Sequence, residues 1–291
     1  MCSPTTRTLV VGDMHLKEDA VFVGVDRAIA QLGVERVVFC GDYLDEWHAG
    51  TIAYHDGVDA LLRWVKRRRS EGIAVDVVLG NHDMQYVLGE PGPGTLMSLV
   101  PVARAALSEL KAVAAAVVGD ALVTHAGVTG AWARQFLPQV APGHGEGSGA
   151  VAVCDALNAL LDAGDQKSLY TLASAGPARG GLALPGPLWA DRTELLDDPL
   201  PGLNQIVGHT PVASIELWNM PAADGEHTAE RLVFCDTFSL SSHLAPMGDG
   251  SMLLVEDRAV SAIEWDSLGL ASWPEHIWDW TIRNPFFSGV R

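Results

Sequence analysis

Residues 37–47 read VVFCGDYLDEW, an apolar run of strand type that ends abruptly in Asp42, Asp45 and Glu46. Carboxylates this close repel one another unless a positive centre lies among them or each has a separate task. The same arrangement recurs along the chain. TLVVGDMH (8–15) reads as a strand entering a polar loop, DAVFVGVDRAIAQLG (19–33) as an amphipathic helix, and ERVVFCGD (35–42) as the next strand, which together make a βαβ unit. TIAYHDGVDALLRWVKRRRS (51–70) has helical spacing, and IAVDVVLGNHD (73–83) is a third strand running into polar residues. AVAAAVVGDALVTHAG (112–127) is apolar on both sides of Gly119 and Asp120, a hairpin signal, and LNQIVGHTP (203–211) and ERLVFCDTFSL (230–240) are two more strands with polar ends. This alternation predicts an α/β fold with partly parallel sheets and a ligand site beyond the carboxyl ends of the strands.

The bulk properties fit a folded enzyme-sized chain. It has 291 residues, 48% of them hydrophobic, with a mean hydropathy of +0.17. Nineteen Lys and Arg stand against 36 Asp and Glu, a formal charge of -17 that argues against a broad nucleic-acid surface or an anionic membrane face. An anionic substrate therefore needs a local positive centre. No apolar run reaches the roughly 18 residues that span a bilayer, and MCSPTTRTLVV lacks a signal-peptide profile, so a cytoplasmic location is expected. Cys2, Cys40, Cys154 and Cys235 have no CxxC spacing, which predicts neither a disulfide framework nor cysteine-bound zinc. One domain over residues 1–291 is expected, with Gly/Pro-rich surface excursions near 141–150 and 174–187. The KRRR run at 66–69 reads as a solvated helix end favoured by the macrodipole. The aromatic tail WPEHIWDWTIRNPFF (273–287) suits either an oligomer contact or packing over its own domain.

The strand ends collect Asp13 and His15, Asp42, Asn81 with His82 and Asp83, His125, and His209. These are oxygen and imidazole donors, the composition of a site for hard-to-borderline cations. A single histidine after a strand is ordinary, but four of the chain's ten in this position are not. Counting ligands predicts two divalent ions. Asp13, His15 and Asp42 serve one, and Asp42, Asn81, His125 and His209 serve the other, with Asp42 as the bridge because a carboxylate offers two equivalent anionic oxygens. Two carboxylates against two dications leave residual positive charge for a phosphate dianion. The donor set suits Mn, Fe, Zn or Co, with manganese the expected ion.

GDMH, GDYLDE, GNHD, THAG and GHTP, in that order, resemble the metal motifs of calcineurin-like metallophosphoesterases. LWADR (188–192), GHTPV (208–212) and CDT (235–237) are similar to the branch of bacterial phosphoprotein phosphatases and symmetrical diadenosine tetraphosphatases. The resemblance implies a four-layer α/β/β/α sandwich with a dimetal site at the loop end of two sheets. It also implies a metal-dependent phosphoesterase that works by in-line attack of a metal-bridging hydroxide. In the family pattern Asp13, His15, Asp42, Asn81, His125 and His209 match metal ligands, and His82 matches the general acid for the leaving group. Asp45 matches the carboxylate that orients His82. Arg192 is the candidate phosphate clamp, as a guanidinium grips two oxygens, unless it is an ordinary surface arginine. Asp236 supports a ligand histidine or caps a turn.

The chain departs from the branch after Asp45. The pattern continues with Arg and Gly, where the Arg binds phosphate; here Glu46 and Trp47 follow. Glu46 is expected to repel phosphate or to select a substrate carrying a positive or hydrogen-bond-donating group. Leu16 likewise replaces a Gly after the first motif. Expected substrates are phosphorylated small molecules, nucleotides or phosphoproteins. The leading expectation is phosphomonoester hydrolysis, followed by nucleotide or dinucleoside-polyphosphate hydrolysis. A non-catalytic interaction module is the reading from another class. Composition says nothing about oligomeric state.

Overall fold

The computed structural model describes residues 6–140, 149–220 and 230–283. In chain order, β1 (Arg7–Val11), α1 (Glu18–Leu32), β2 (Arg36–Phe39), α2 (Thr51–Ser70), β3 (Ala74–Val77), α3 (Asn81–Leu88) and α4 (Val100–Leu110) form the first half. The hairpin β4 (Ala116–Val118) and β5 (Ala121–Val123) follows, then α5 (Gly130–Phe136), α6 (Gly149–Ala163), α7 (Gln166–Leu172) and α8 (Arg192–Asp197). The chain continues through β6 (Asn204–Val207), β7 (Glu216–Met220), β8 (Glu230–Phe234), β9 (Met252–Glu256), β10 (Ala259–Ile263) and α9 (Trp273–Arg283).

Two five-stranded sheets result, ordered β10-β9-β1-β2-β3 and β4-β5-β6-β8-β7. β1, β2 and β3 run parallel, as do β5, β6 and β8. Alternation along the strands builds the layers, since successive side chains face opposite sides. Val10, Val38, Val123, Ile206 and Val233 turn inward and pack the space between the sheets, while Leu9, Val11, Val37 and Phe39 face the helices over the first sheet. Val207, Leu232 and Phe234 face the other way, against Leu195 of α8. The outcome is the α/β/β/α sandwich expected from the sequence.

Local signals act as their chemistry requires. α1 carries Glu18 and Asp19 in its first turn, and α2 carries Arg67, Arg68 and Arg69 in its last, both matching the helix dipole. The basic run at the end of α2 is paired off: Arg67 and Arg68 meet Asp26, and Arg69 donates to the carbonyls of Val75 and Leu110. β4 and β5 pair through a two-residue turn in which Gly119 has φ 60°, a conformation that suits glycine. The stretch at 141–148 and the end of the tail at 284–291 lie outside the described residues. The earlier part of the tail, α9, buries Trp273 and Ile277 and leaves Trp278 exposed. Among the described residues no helix is long and apolar enough to cross a membrane.

The two sheets approach each other closely where β1 and β8 end. A Cβ on Gly12 would overlap the Cys235 carbonyl oxygen, so this position has no room for a side chain. Gly12→Ala is expected to destabilise the protein by about 1–3 kcal/mol through overpacking, read as a lower urea midpoint with an unchanged m-value.

Candidate metal centre

Each of the six parallel strands delivers its polar residues to one edge of the sandwich. Asp13 follows β1, Asp42 follows β2, Asn81 opens α3 just after β3, His125 follows β5, His209 follows β6 and Asp236 follows β8. The approach is held in unusual backbone conformations: His15, Asp42, Asp45 and His209 all have positive φ, at 45°, 52°, 66° and 65°. Such strain persists only where surrounding bonds over-determine it. Here the bonds are visible. The Asp83 carboxylate, fully buried, accepts N–H bonds from Gly80 (2.8 Å), Asp42 (2.9 Å), Tyr43 (3.2 Å) and Leu44 (3.3 Å), and the Asp42 carbonyl accepts from the backbone of Met14 and His15.

The imidazoles are oriented from behind. His15 Nδ1 lies 2.7 Å from the Asp45 carbonyl and His125 Nδ1 lies 2.8 Å from the Cys40 carbonyl, so each Nδ1–H is the donor and each Nε2 keeps its lone pair. His125 Nε2 then lies 2.8 Å from Asn81 Oδ1, 3.0 Å from His209 Nδ1 and 3.3 Å from Asp42 Oδ2. On the other side His15 Nε2 is 3.7 Å from Asp42 Oδ2. Two donor groups follow, Asp42 with His125 and His209, and Asp13 with His15 and Asp42, in each of which the donor atoms lie within 4.8 Å of one another. Lone pairs at such separations call for a shared cation. Burial lowers the pKa of both His15 and His209, keeping them neutral and ready to ligate, and His209 Nε2 is buried without a hydrogen-bond partner. Burial, then Asp236 and Asp42, raises Asp13 well above the usual carboxylate range. The donor set therefore fits divalent metal.

His82 stands beside these groups without joining them. Its Nδ1 is 3.2 Å from Asp45 Oδ2, and its backbone N–H donates to Asp42 Oδ1 at 2.9 Å. Burial works against its charged form, but Asp42 and the hydrogen-bonded Asp45 outweigh it and hold the imidazolium up to about 9. A cavity of about 500 Å³ opens in front, lined by His15, Asp42, Asn81, His82 and His209 together with Trp47, Trp189 and Arg179. Asp236 accepts from the N–H and hydroxyl of Ser239, which makes it the cap of its turn.

Three placements differ from the sequence reading. Arg192 is not brought to the cavity: it pairs with Glu216, and its guanidinium lies over the rings of Trp218 and Phe234 at 5.4 and 5.5 Å. Arg179, from the stretch expected to be a surface excursion, lines the cavity instead, with Nη2 donating to Thr210 Oγ1 at 2.8 Å and Nε 3.0 Å from Asp191. Sequence offered no sign of it beyond a lone Arg among glycines. Glu46 lines the cavity, but its carboxylate is not free there. It forms an ion pair with Lys17 in which the side chains are 3% and 0% exposed, and Lys17 also donates to the His15 carbonyl. Lys17, which follows the Leu16 departure in the first motif, and Glu46, the departure in the second, are the two halves of one contact.

A two-sheet sandwich whose six parallel strand ends converge on carboxylates, an amide and imidazoles defines a metal-dependent phosphoesterase. The calcineurin-like phosphoesterase model matches residues 6–213, and the chain belongs to that family, hydrolases of phosphate esters. No curated protein matches the chain. Among solved structures it is similar to the cold-active protein-tyrosine phosphatase of a psychrophilic Shewanella sp., with 16% identity, a TM-score of 0.54 and coverage of 90% of this chain and 78% of that one. A 1.1 Å structure of a cold-active protein tyrosine phosphatase gives 16% identity and a TM-score of 0.56, over 90% of this chain and 77% of the other. A Saccharomyces cerevisiae serine/threonine phosphatase aligns at 14% identity and a TM-score of 0.47, over 90% and 81%.

The buried pair has a direct test. Lys17→Met leaves Glu46 charged and unpartnered, and is expected to cost about 3–5 kcal/mol in urea unfolding. Lys17→Met with Glu46→Leu is expected to recover most of that loss, because neither charge is then stranded.

Proposed function

We propose that the chain, as a single domain spanning residues 1–291, hydrolyses phosphate monoesters at a pair of divalent cations. The observation that carries this reading is the convergence of lone pairs from Asp42, Asn81, His125 and His209 next to Asp13 and His15, with His82, hydrogen-bonded to Asp45, lining the same cavity. Asp13, His15 and Asp42 hold one cation, and Asp42, Asn81, His125 and His209 hold the other. Manganese is the first choice for this donor set, with iron, zinc or cobalt as alternatives. Two such ions, when bound, supply Lewis acidity that lowers the pKa of an attacking water and offsets phosphate charge.

The chain's own groups complete the reaction. His82, turned by Asp45, gives a proton to the leaving oxygen, a contribution commonly worth about 10²- to 10⁴-fold. Arg179, fixed by Asp191 and Thr210, grips the phosphate in the role first given to Arg192, whose contacts with Glu216, Trp218 and Phe234 give it a structural task. The cavity accepts a phosphorylated small molecule, a nucleotide or a phosphorylated side chain. A second reading, nucleotide or dinucleoside-polyphosphate hydrolysis, is favoured by Trp47 and Trp189 in the cavity wall, which offer aromatic rings to a base. Diadenosine tetraphosphate as substrate, with product analysis, separates the two. A non-catalytic module is disfavoured by the complete donor set. A reducing, cytoplasmic location fits the free thiols of Cys40, Cys154 and Cys235.

Purified protein reconstituted with manganese is expected to bind about two ions per chain and to hydrolyse p-nitrophenyl phosphate. Inactivity toward that ester and toward a panel of nucleotides and phosphopeptides overturns the reading. Asp42→Asn is expected to abolish turnover and weaken both metal sites, whereas His82→Asn retains metal and loses turnover, most severely on esters with poor leaving groups; equal metal loss in both contradicts the assigned roles. Arg179→Ala is expected to lower kcat/KM by about 10- to 100-fold through the lost charge-assisted contact. Arg192→Ala should leave kcat/KM within about twofold and lower the urea midpoint, as expected for a residue that packs rather than binds substrate.

A further inference from the structure

Asp45 has two carboxylate oxygens, and His82 uses one of them. Oδ2 faces His82 Nδ1 at 3.2 Å, while Oδ1 accepts the Tyr86 hydroxyl at 2.5 Å. The direction of that second bond is forced. The Tyr86 oxygen already accepts the Leu96 N–H at 3.0 Å, and a carboxylate offers no proton, so the single hydroxyl hydrogen must point to Asp45. Tyr86 is fully buried, and its ring is held in α3, the helix that begins with Asn81 and His82. One turn of helix separates His82 from Tyr86, so both ends of the Asp45 carboxylate are bound by residues on the same face of one rigid element. A carboxylate gripped at a single oxygen can rotate; one gripped at both cannot.

We propose that Tyr86 is a positioning residue for phosphoester cleavage, locking the Asp45 carboxylate so that His82 presents Nε2 to the leaving oxygen. This rests on the phosphomonoesterase reading, with His82 as proton donor. In that reaction the bond between phosphorus and the leaving oxygen breaks and its electron pair stays on that oxygen, which takes a proton from His82 Nε2 and departs as an alcohol or phenol. The oxygen of an attacking water bonds to phosphorus, and the proton it releases passes to solvent, from which His82 is recharged. Tyr86 transfers nothing. Its hydroxyl fixes the direction from which the His82 proton is delivered, and that matters in proportion to how badly the leaving oxygen needs the proton.

Leaving-group dependence is therefore the readout. p-Nitrophenolate leaves readily without full protonation, whereas the phenolate of phenyl phosphate is a poorer leaving group. Tyr86→Phe is expected to keep kcat for p-nitrophenyl phosphate within about twofold, to lower kcat for phenyl phosphate by about tenfold or more, and to leave KM and manganese content unchanged. Asp45→Asn is expected to lower kcat on both esters, with the larger loss on phenyl phosphate. With Asp45→Asn already in place, adding Tyr86→Phe should cost nothing further, because the carboxylate that Tyr86 holds is gone. Equal losses on both esters, a change in KM alone, or costs that multiply in the double variant would overturn the proposal. Failure of the underlying reading is recognised separately: it appears as wild-type protein inactive on both esters, or as His82→Asn falling equally on the two. A Tyr86→Phe protein with a much lower urea midpoint would still be judged by the ratio of its two kcat values, which loss of folded fraction does not move.

Discussion

The whole site depends on how Asp42 is held. Its carboxylate must face His125 on one side and His15 on the other, which requires the chain to leave β2 in a left-handed turn at φ 52°. Asp83 makes that turn tenable. By accepting N–H groups from Asp42, Tyr43 and Leu44 and from Gly80, its buried carboxylate ties the loop after β2 to the start of α3. One side chain thereby fixes the relative positions of Asp42, Asn81 and His82, which come from two different strand ends.

That solution concentrates negative charge. Asp13, Asp42, Asp83 and Asp236 are all buried within the strand-end region. Burial, followed by Asp42, pushes Asp83 upward, and burial is likewise the leading cause that raises Asp236 and Asp13. Asp42 moves the other way, because His125 and His82 outweigh its own burial. A protein interior does not keep several carboxylates together without positive charge. Lys17 supplies one such charge, but Glu46 claims it. The shortfall that remains lies where the imidazole and amide lone pairs converge, which is why divalent metal fits the chemistry as well as the geometry.

Much of this was legible in the sequence, and the part that was not has a physical cause. The stacking of two sheets was implied only by the family resemblance, but strand ends are local in sequence, so Asp13, Asp42, Asn81, His125 and His209 announce themselves by following apolar runs. The hairpin at Gly119 was readable for the same reason. Contacts made across the fold were not. Arg179 and Arg192 are equally plausible as clamps until the 174–187 stretch is seen to fold over Thr210 and Arg192 is seen to turn toward Glu216. Asp83 stood in plain view beside His82, but its task is to hold backbone N–H groups, and backbone partners leave no trace in side-chain patterns.

Glu46 shows how a departure from a family pattern should be weighed. Taken alone, an acid where an arginine is expected implies repulsion of phosphate. Paired with Lys17 and shielded from water, it adds almost no net charge to the cavity, so the loss of a guanidinium is a loss of attraction and not a gain of repulsion. Lys17 and Glu46, 29 residues apart in the chain, form a single buried contact that joins the loops after β1 and β2. Glu46 without Lys17 would be an unpaired buried acid beside the carboxylates of the site. Lys17 without Glu46 would be an unpaired buried cation beside the same groups. Only the pair is electrostatically neutral to the centre, and among the cavity-lining residues the guanidinium is that of Arg179, which donates to Thr210 in the loop that carries His209.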